Sequence, residues 1–444
     1  MAQLLPKLLL SAALLAPTPG IAADLTIWWD KGYYPQEDRA LEAVVAAYEQ
    51  RTGKDVDLVL FAQPEHLEKL AAAVAAKRPP DLSRSILVGQ HLAEWARNGV
   101  LADLSEVVEP IKDQFYPGAL EAVLLSSGQT DRFAYYAVPL GQYGFYVHVW
   151  KSLLDQAGMR LEDVPRGWEA FWSFWCDKVQ PAVRQATARD DIWGIGLPMS
   201  VEGTDTESGL LQFMHAYEVE LIAADGQPRL DDPAVRQKII RALTDYTTVH
   251  RKGCTPPDAV HWGDPDNNKN FHDQKVVMTI NTTLSIPNAL IETRPDDYYK
   301  KTTTLAWPDG PDGNTYMMET GVLWGVVFQQ ASNAEQAKDF LRFLLSEERL
   351  GTYLEASLAR ALPTMPALLD RPFWKNPADP HRRRAVEQLD LPSAPFYANV
   401  NWRYGRVEEE EVWQKAVHRV VVDGLSPDQA ADEAIARVKQ LLSE

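Results

Sequence analysis

The chain carries 14 Trp and 16 Tyr, and many of them stand beside polar or charged residues where an apolar run ends. Trp28-Trp29-Asp30, Gln142-Tyr143, His261-Trp262-Gly263-Asp264, Glu319 to Trp324, and Tyr397 to Tyr404 are the clearest cases. A flat aromatic face can lie against the C–H face of a pyranose ring, while adjacent Asp, Glu, Asn and Gln exchange hydrogen bonds with its hydroxyls. Each junction fits a buried core aromatic as well, because an indole with a partner for its N–H packs readily inside a protein.

No standard catalytic engine accompanies these junctions. The sequence contains no GxxxxGK[ST], HExxH, GxSxG, GxGxxG or CxxC, and its nine His are scattered. "GDPDNN" at 263–268 lacks the spacing and closing Glu of a calcium loop. "VEEEEVW" at 407–413 reads as a solvated helix face rather than a carboxylate cluster. No metal, cofactor or catalytic residue is therefore expected. A carboxylate pair for glycoside hydrolysis leaves no fixed signature, so a secreted hydrolase or lyase stays open as an alternative.

The formal net charge is −18. Nucleic-acid affinity is dominated by phosphate neutralisation, so such a charge argues against a nucleic-acid partner. It leaves neutral ligands open, and it permits a quaternary amine held in an aromatic cage. A phosphorylated polyol is disfavoured unless Arg84 or Arg360 faces the ligand.

The first 23 residues combine an early cation (Lys7), an apolar stretch and a small-residue exit, the layout of an export signal cleaved after Ala22 or Ala23. No later apolar run reaches the length of a membrane span. Cys176 and Cys254 are the only cysteines, and the sequence leaves open whether they pair.

The elements that must position the junctions alternate. Leu25–Trp29 reads as a buried strand, followed by a helix whose Leu41, Val44, Val45 and Tyr48 form one apolar face. "VDLVLF" is the next strand, Pro64 opens a second helix, and "PPDLSRSILV" returns to strand. Strand–helix–strand repetition continues through "YYAVPLGQYGFYVHV", interrupted at Pro139 and Gly141, then "IWGIGLPMS" and "KVVMTINTT". The prediction is a multi-layer α/β protein of two lobes built on parallel sheets.

Five blocks, in order, then carry a resemblance. They are "LTIWWD…ALEAVVAAYEQRTGKDVDL", "LAEWARNGVLADLSEVV", "YAVPLGQYGFYVHVWKSLLDQAGM…VPRGWEAFW", "FHDQKVVMTINTTLSI" and "SNAEQAKDFLRFLLSEERLGTYLEASLARALPTM". With them the whole mature chain resembles the sugar-type extracellular solute-binding proteins of ABC importers, the group that includes maltose-binding protein. Val149-Trp150, Arg166-Gly167 and Thr282 depart from the usual pattern, so no member's ligand transfers directly.

The resemblance implies a two-lobed fold with a ligand cleft between the lobes. Residues 24–138 and 283–346 would form one lobe, and 139–282 and 347–444 the other. The crossings would lie near 136–141, 279–284 and 346, with Pro139 and Gly141 breaking the strand at the hinge. A monomer in the periplasm, capturing a neutral carbohydrate or polyol for a membrane permease, is the implied role. Mapped by resemblance, the cleft would be lined by Trp29, Asp30, Tyr33, Glu65, Arg84, Gln142, Tyr143, Asp205, Trp262, Asn281, Glu319, Trp324, Arg360 and Trp402. Ser83 and Glu202 lie in the same loops.

Overall fold

The computed structural model describes residues 23–85, 89–128, 130, 132–313 and 321–444. The expected export signal falls outside these residues, except for position 23, and so does Glu319. No helix among the described residues is long and apolar enough to cross a membrane.

Strand β1 (Leu25–Asp30) leads to helix α1 (Pro35–Thr52), β2 (Val56–Phe61), α2 (Gln63–Ala75), β3 (Leu82–Ser85) and α3 (Gly89–Arg97). Pro35 fits the first turn of α1, where its missing N–H is no loss. Gly53 stops the helix in the left-handed conformation at φ 70°, and its N–H returns to the Glu49 carbonyl. The buried face of α1 is Ala40, Leu41, Val44, Val45 and Tyr48, as its periodicity predicts. A short hairpin, β4 (Leu124–Ser126) with β5 (Phe133–Tyr135), precedes β6 (Val138–Tyr143) and β7 (Tyr146–Trp150). The remaining strands are β8 (Trp193–Gly196), β9 (Val276–Asn281), β10 (Thr302–Leu305) and β11 (Gly321–Val327).

Two sheets result. One has the order β2-β1-β3-β11-β6 and the other β10-β7-β9-β8. Each supports its own hydrophobic core, one around Leu25, Ile27 and Phe340 and the other around Trp150, Trp175 and Trp413. Neither sheet is wholly parallel, which corrects the simple strand–helix–strand reading. β11 runs antiparallel to both β3 and β6, and β7 runs antiparallel to both β9 and β10. These strands enter a sheet from the opposite lobe rather than through a helical crossover, so the usual handed parallel connection does not constrain them.

Several boundaries move accordingly. Pro139 and Gly141 lie inside the continuous strand β6, and the chain leaves the sheet at Gly144–Phe145 instead. Gly141 is needed for close packing, because a Cβ there would sit 2.9 Å from the Ala361 Cβ. β10 pairs with β7, so the stretch at 302–305 belongs to the second sheet rather than the first lobe. Leu350, Leu354, Leu368 and Trp374 pack in the first core, whereas Tyr397, Val407 and Trp413 pack in the second. The last crossing therefore lies beyond Trp374, not at residue 346, and His381 already bonds Thr302 and Thr304 of β10.

Cys176 and Cys254 form a disulfide, with Cα atoms 5.1 Å apart and 78 residues between them in sequence. The bond joins the helical segment Phe174–Val179 to the residue just beyond helix Pro233–Arg251, beside β8, where Ile195 N–H donates to the Cys254 carbonyl at 3.0 Å. Closing a loop of this size restricts the unfolded chain, so Cys176→Ser with Cys254→Ser should lower the unfolding free energy by about 2–4 kcal/mol. Urea titration of wild type and double variant measures it.

Candidate ligand-binding cleft

A cleft of about 290 Å³ opens between the two lobes. Tyr33, Tyr143, Trp324 and Arg360 reach it from the first-lobe side, and Asp205, Asp264, Asn268 and Asn281 from the second. The stretch from Ala394 to Glu408, which follows the last crossing, closes one end with Phe396, Tyr397, Tyr404 and Glu408. Strand ends supply several of these groups: Tyr33 follows β1, Asn281 ends β9, and Trp324 lies in β11.

The polar wall is internally braced. Asn281 Nδ2 donates to Asn268 Oδ1 at 3.2 Å, and Asn281 Oδ1 accepts from Thr283 N–H at 2.8 Å. Asp264 starts helix Asp264–His272 and caps helix Thr204–Ala216. Its Oδ2 accepts from Thr204 Oγ1 at 2.9 Å and its Oδ1 from Asp205 N–H at 3.2 Å. Asp205 Oδ2 in turn accepts from Asn267 Nδ2 at 2.9 Å. Burial, and then the Asp264 charge, raise the Asp205 carboxyl well above its ordinary range. Burial raises Asp264 too, opposed by the donors from Asp205 and Thr204. Two carboxylates this close in a low-dielectric wall do not both ionise cheaply.

Burial holds His215 neutral at neutral pH, with its pKa lowered to about 4, and its Nδ1 has no hydrogen-bond partner among the described residues. Arg360 pairs with Glu37 at 3.0 Å. Burial works against the Arg360 charge, but Glu37, Tyr34 and Asp30 together outweigh it and the guanidinium stays protonated. Burial, with Glu409 adding to it, raises the half-buried Glu408 carboxyl to about 8. The folded protein then keeps a proton that the unfolded chain releases near 4.5, so stability falls as pH rises between about 4.5 and 8. Glu408→Gln should match wild type at pH 4 and exceed it at pH 8.5 by on the order of 1–2 kcal/mol, after allowance for partial exposure. Thermal melts across that range read the divergence.

Of the residues expected here from sequence, Tyr33, Tyr143, Asp205, Asn281, Trp324 and Arg360 come together around the cleft. Glu319 lies outside the described residues, and the others do not line it. Trp29 is 2% exposed, edge-on to Tyr353 in the first core, with the Arg84 guanidinium 5.5 Å from its ring. Asp30 and Arg84 are buried against each other at 3.5 Å. Alternation along β1 sends Trp28 and Trp29 to opposite faces, and Trp29 takes the core side. Glu65 pairs with Lys69 at 2.9 Å on the outer face of α2. Gln142 turns away from the cleft and donates to the Pro363 carbonyl at 2.8 Å. Trp262 is buried in the second core. Trp402 is ringed by Arg97, Arg403 and Arg406, with guanidinium carbons 4.7 to 5.6 Å from its ring. Glu202 is exposed beside Ser200.

Sequence reading missed Asn268 and Glu408, and from the junction His261–Asp264 it carried Trp262 into the cleft rather than Asp264. Asp264 and Asn268 lie in "GDPDNN", whose acidic residues start and cap helices. The "VEEEEVW" stretch is not a solvated face: Val407 is buried, Glu408 lines the cleft, and Glu409 bonds His91 of α3 at 2.6 Å.

One constellation has the distances of a hydrolytic triad. Asp30 Oδ1 lies 2.7 Å from His66 Nδ1, and His66 Nε2 lies 3.0 Å from Ser83 Oγ. All three side chains are buried, and none lines the cleft. A nucleophile needs access to its substrate, so this chain of hydrogen bonds serves the β1–α2–β3 junction and not acyl transfer.

Two α/β lobes clasping a braced, aromatic-walled cleft are the architecture of a solute-binding protein. The model of the bacterial extracellular solute-binding protein family matches residues 43–383, and the chain belongs to that family. No curated protein matches the chain. Among solved structures it is similar to a Thermotoga lettingae ABC-transporter solute-binding protein bound with α-D-tagatose (21% identity, 94% of this chain and 99% of that one, TM-score 0.77). The maltose-bound MalE3 of T. maritima matches at 19% identity, over 94% and 99% of the two chains, with TM-score 0.74. A sugar transporter from Arthrobacter chlorophenolicus with bound laminaribiose matches at 16% identity, over 94% and 98%, with TM-score 0.75.

Proposed function

We propose that this protein is the periplasmic capture component of an ABC importer for a neutral carbohydrate or polyol. The observation that carries the proposal is the juxtaposition of Tyr33 and Trp324 with the Asn268–Asn281 and Asp205–Asp264 pairs across one cleft. Aromatic faces suit a sugar ring, and fixed amides and carboxyls suit its hydroxyls. The ligands bound by the similar structures, a ketohexose and two disaccharides, support the same class.

In this reading the lobes close on the ligand about the segments that cross between them. The closed form is recognised by the membrane permease because ligand stabilises it differentially. The protein acts as a monomer and performs no chemistry on its cargo.

Thermal-shift measurement against monosaccharides, disaccharides, oligosaccharides, polyols, sugar phosphates and quaternary amines tests it. A ligand at 100 times its Kd should add about 2.7 kcal/mol of stability. A response confined to sugars or polyols supports the proposal; a response confined to a cation or a phosphate overturns the ligand class. Product release from a glycan by the purified protein would instead assign Asp205 and Asp264 acid and base roles.

A further inference from the structure

A second cavity, of about 330 Å³, lies behind the cleft. The two share Tyr143. At two further places the wall of one passes into the wall of the other within a single residue: Ala122 lines the cleft and Glu121 the cavity, and Ala394 lines the cleft and Ser393 the cavity. The cavity is also bounded by two of the chain crossings between lobes, Gln142–Tyr146 and Gln388–Ser393.

Its chemistry is specific. Gln388 lines it and is 8% exposed, yet neither the Nε2 nor the Oε1 of its amide has a hydrogen-bond partner among the described residues. A buried amide with both functions unmet is rare in a folded protein and marks a place for a group that both donates and accepts. Tyr116 and Tyr143 add aromatic surface. Among the described residues no cationic side chain lines the cavity, and its one acid, Glu121, is exposed. A neutral, hydroxyl-bearing ring with apolar faces fits this set better than a phosphate or an ammonium group.

We infer that the hinge cavity is a subsite continuous with the cleft, taking the next sugar ring of an oligosaccharide that passes Tyr143 and is read there by the Gln388 amide. This rests on the carbohydrate reading above and narrows it: the preferred ligand is longer than a disaccharide. Because the subsite is built on two interlobe crossings, a ring seated there also bears on the angle between the lobes.

Titration calorimetry of the full-length mature protein tests the inference with glucose, maltose, maltotriose and maltotetraose and with the matching laminari-oligosaccharides. The expected result is an affinity that rises at the trisaccharide in one series. Gln388→Leu, which removes the amide without emptying the space, should weaken the longer sugar about tenfold and leave the disaccharide unchanged. Ser393→Tyr, which fills the cavity, should do the same, and its retained disaccharide binding shows that it is folded. Equal affinity for short and long sugars, or a Gln388→Leu effect independent of length, overturns the subsite while leaving the carbohydrate reading intact. Silence toward every sugar overturns that reading, and the subsite with it.

Discussion

Asp30→Ala should lower the unfolding free energy by about 3–5 kcal/mol, the range for removing one partner from a buried ion pair. Asp30 is 3% exposed, and its carboxylate meets His66 Nδ1 at 2.7 Å and Arg84 Nη1 at 3.5 Å. Alanine would leave the Arg84 guanidinium buried without its carboxylate, and the His66 ring without the acceptor that fixes its orientation toward Ser83. The Arg84 contact with the Trp29 face remains but supplies little against an unpaired buried charge. Chemical denaturation gives the loss directly. A ligand assay alone would mislead, because an apparent loss of binding would report the unfolded fraction. Measured at a temperature where the variant is still folded, ligand affinity should equal that of wild type. A stability loss below 1 kcal/mol would show that water or rearranged neighbours replace the carboxylate.

Asp205→Asn should move stability and affinity in opposite directions. The folded protein raises the Asp205 pKa, so the fold prefers the protonated carboxyl. The stability it offers is full below the unfolded value of about 3.8 and declines as pH climbs through the folded one. Asparagine removes that decline and retains an oxygen to accept from Asn267. The variant and wild type should therefore melt together in acid, and the variant should gain on the order of 1–2 kcal/mol at neutral pH. Ligand affinity should fall by up to about tenfold, since a hydrogen bond between uncharged groups contributes about 0.5–1.5 kcal/mol. Calorimetry beside thermal melts separates the two effects. An unchanged affinity would remove Asp205 from the ligand contacts.

The same comparison shows how far local sequence reaches. The face of α1, the stop at Gly53 and the start of each early strand follow from 3.6- and 2-residue periodicity and turn chemistry, which act over a few residues and are written in them. The junctions at Gln142-Tyr143 and Glu319 to Trp324 hold Tyr143 and Trp324, and the resemblance added Tyr33 and Asn281; all four line the cleft. The same pattern at Trp29 and Trp262 led into the two cores, because a junction does not state which face of the sheet its ring will take. Arg84 and Asp30 looked like ligand contacts for the same reason that they pair: a buried charge needs an opposite one, and sequence does not say whether ligand or protein supplies it.

Periodicity was enough to point to a multi-layer α/β protein of two lobes, and the resemblance carried by the five blocks in order supplied its class. Tertiary structure alone decided the sheet membership of the antiparallel strands, the crossing beyond Trp374, the Cys176–Cys254 bond, and the placement of Asp264 and Glu408 in the cleft wall. Each of these depends on contacts between residues far apart in the chain, where closure and packing, not local propensity, choose the partner.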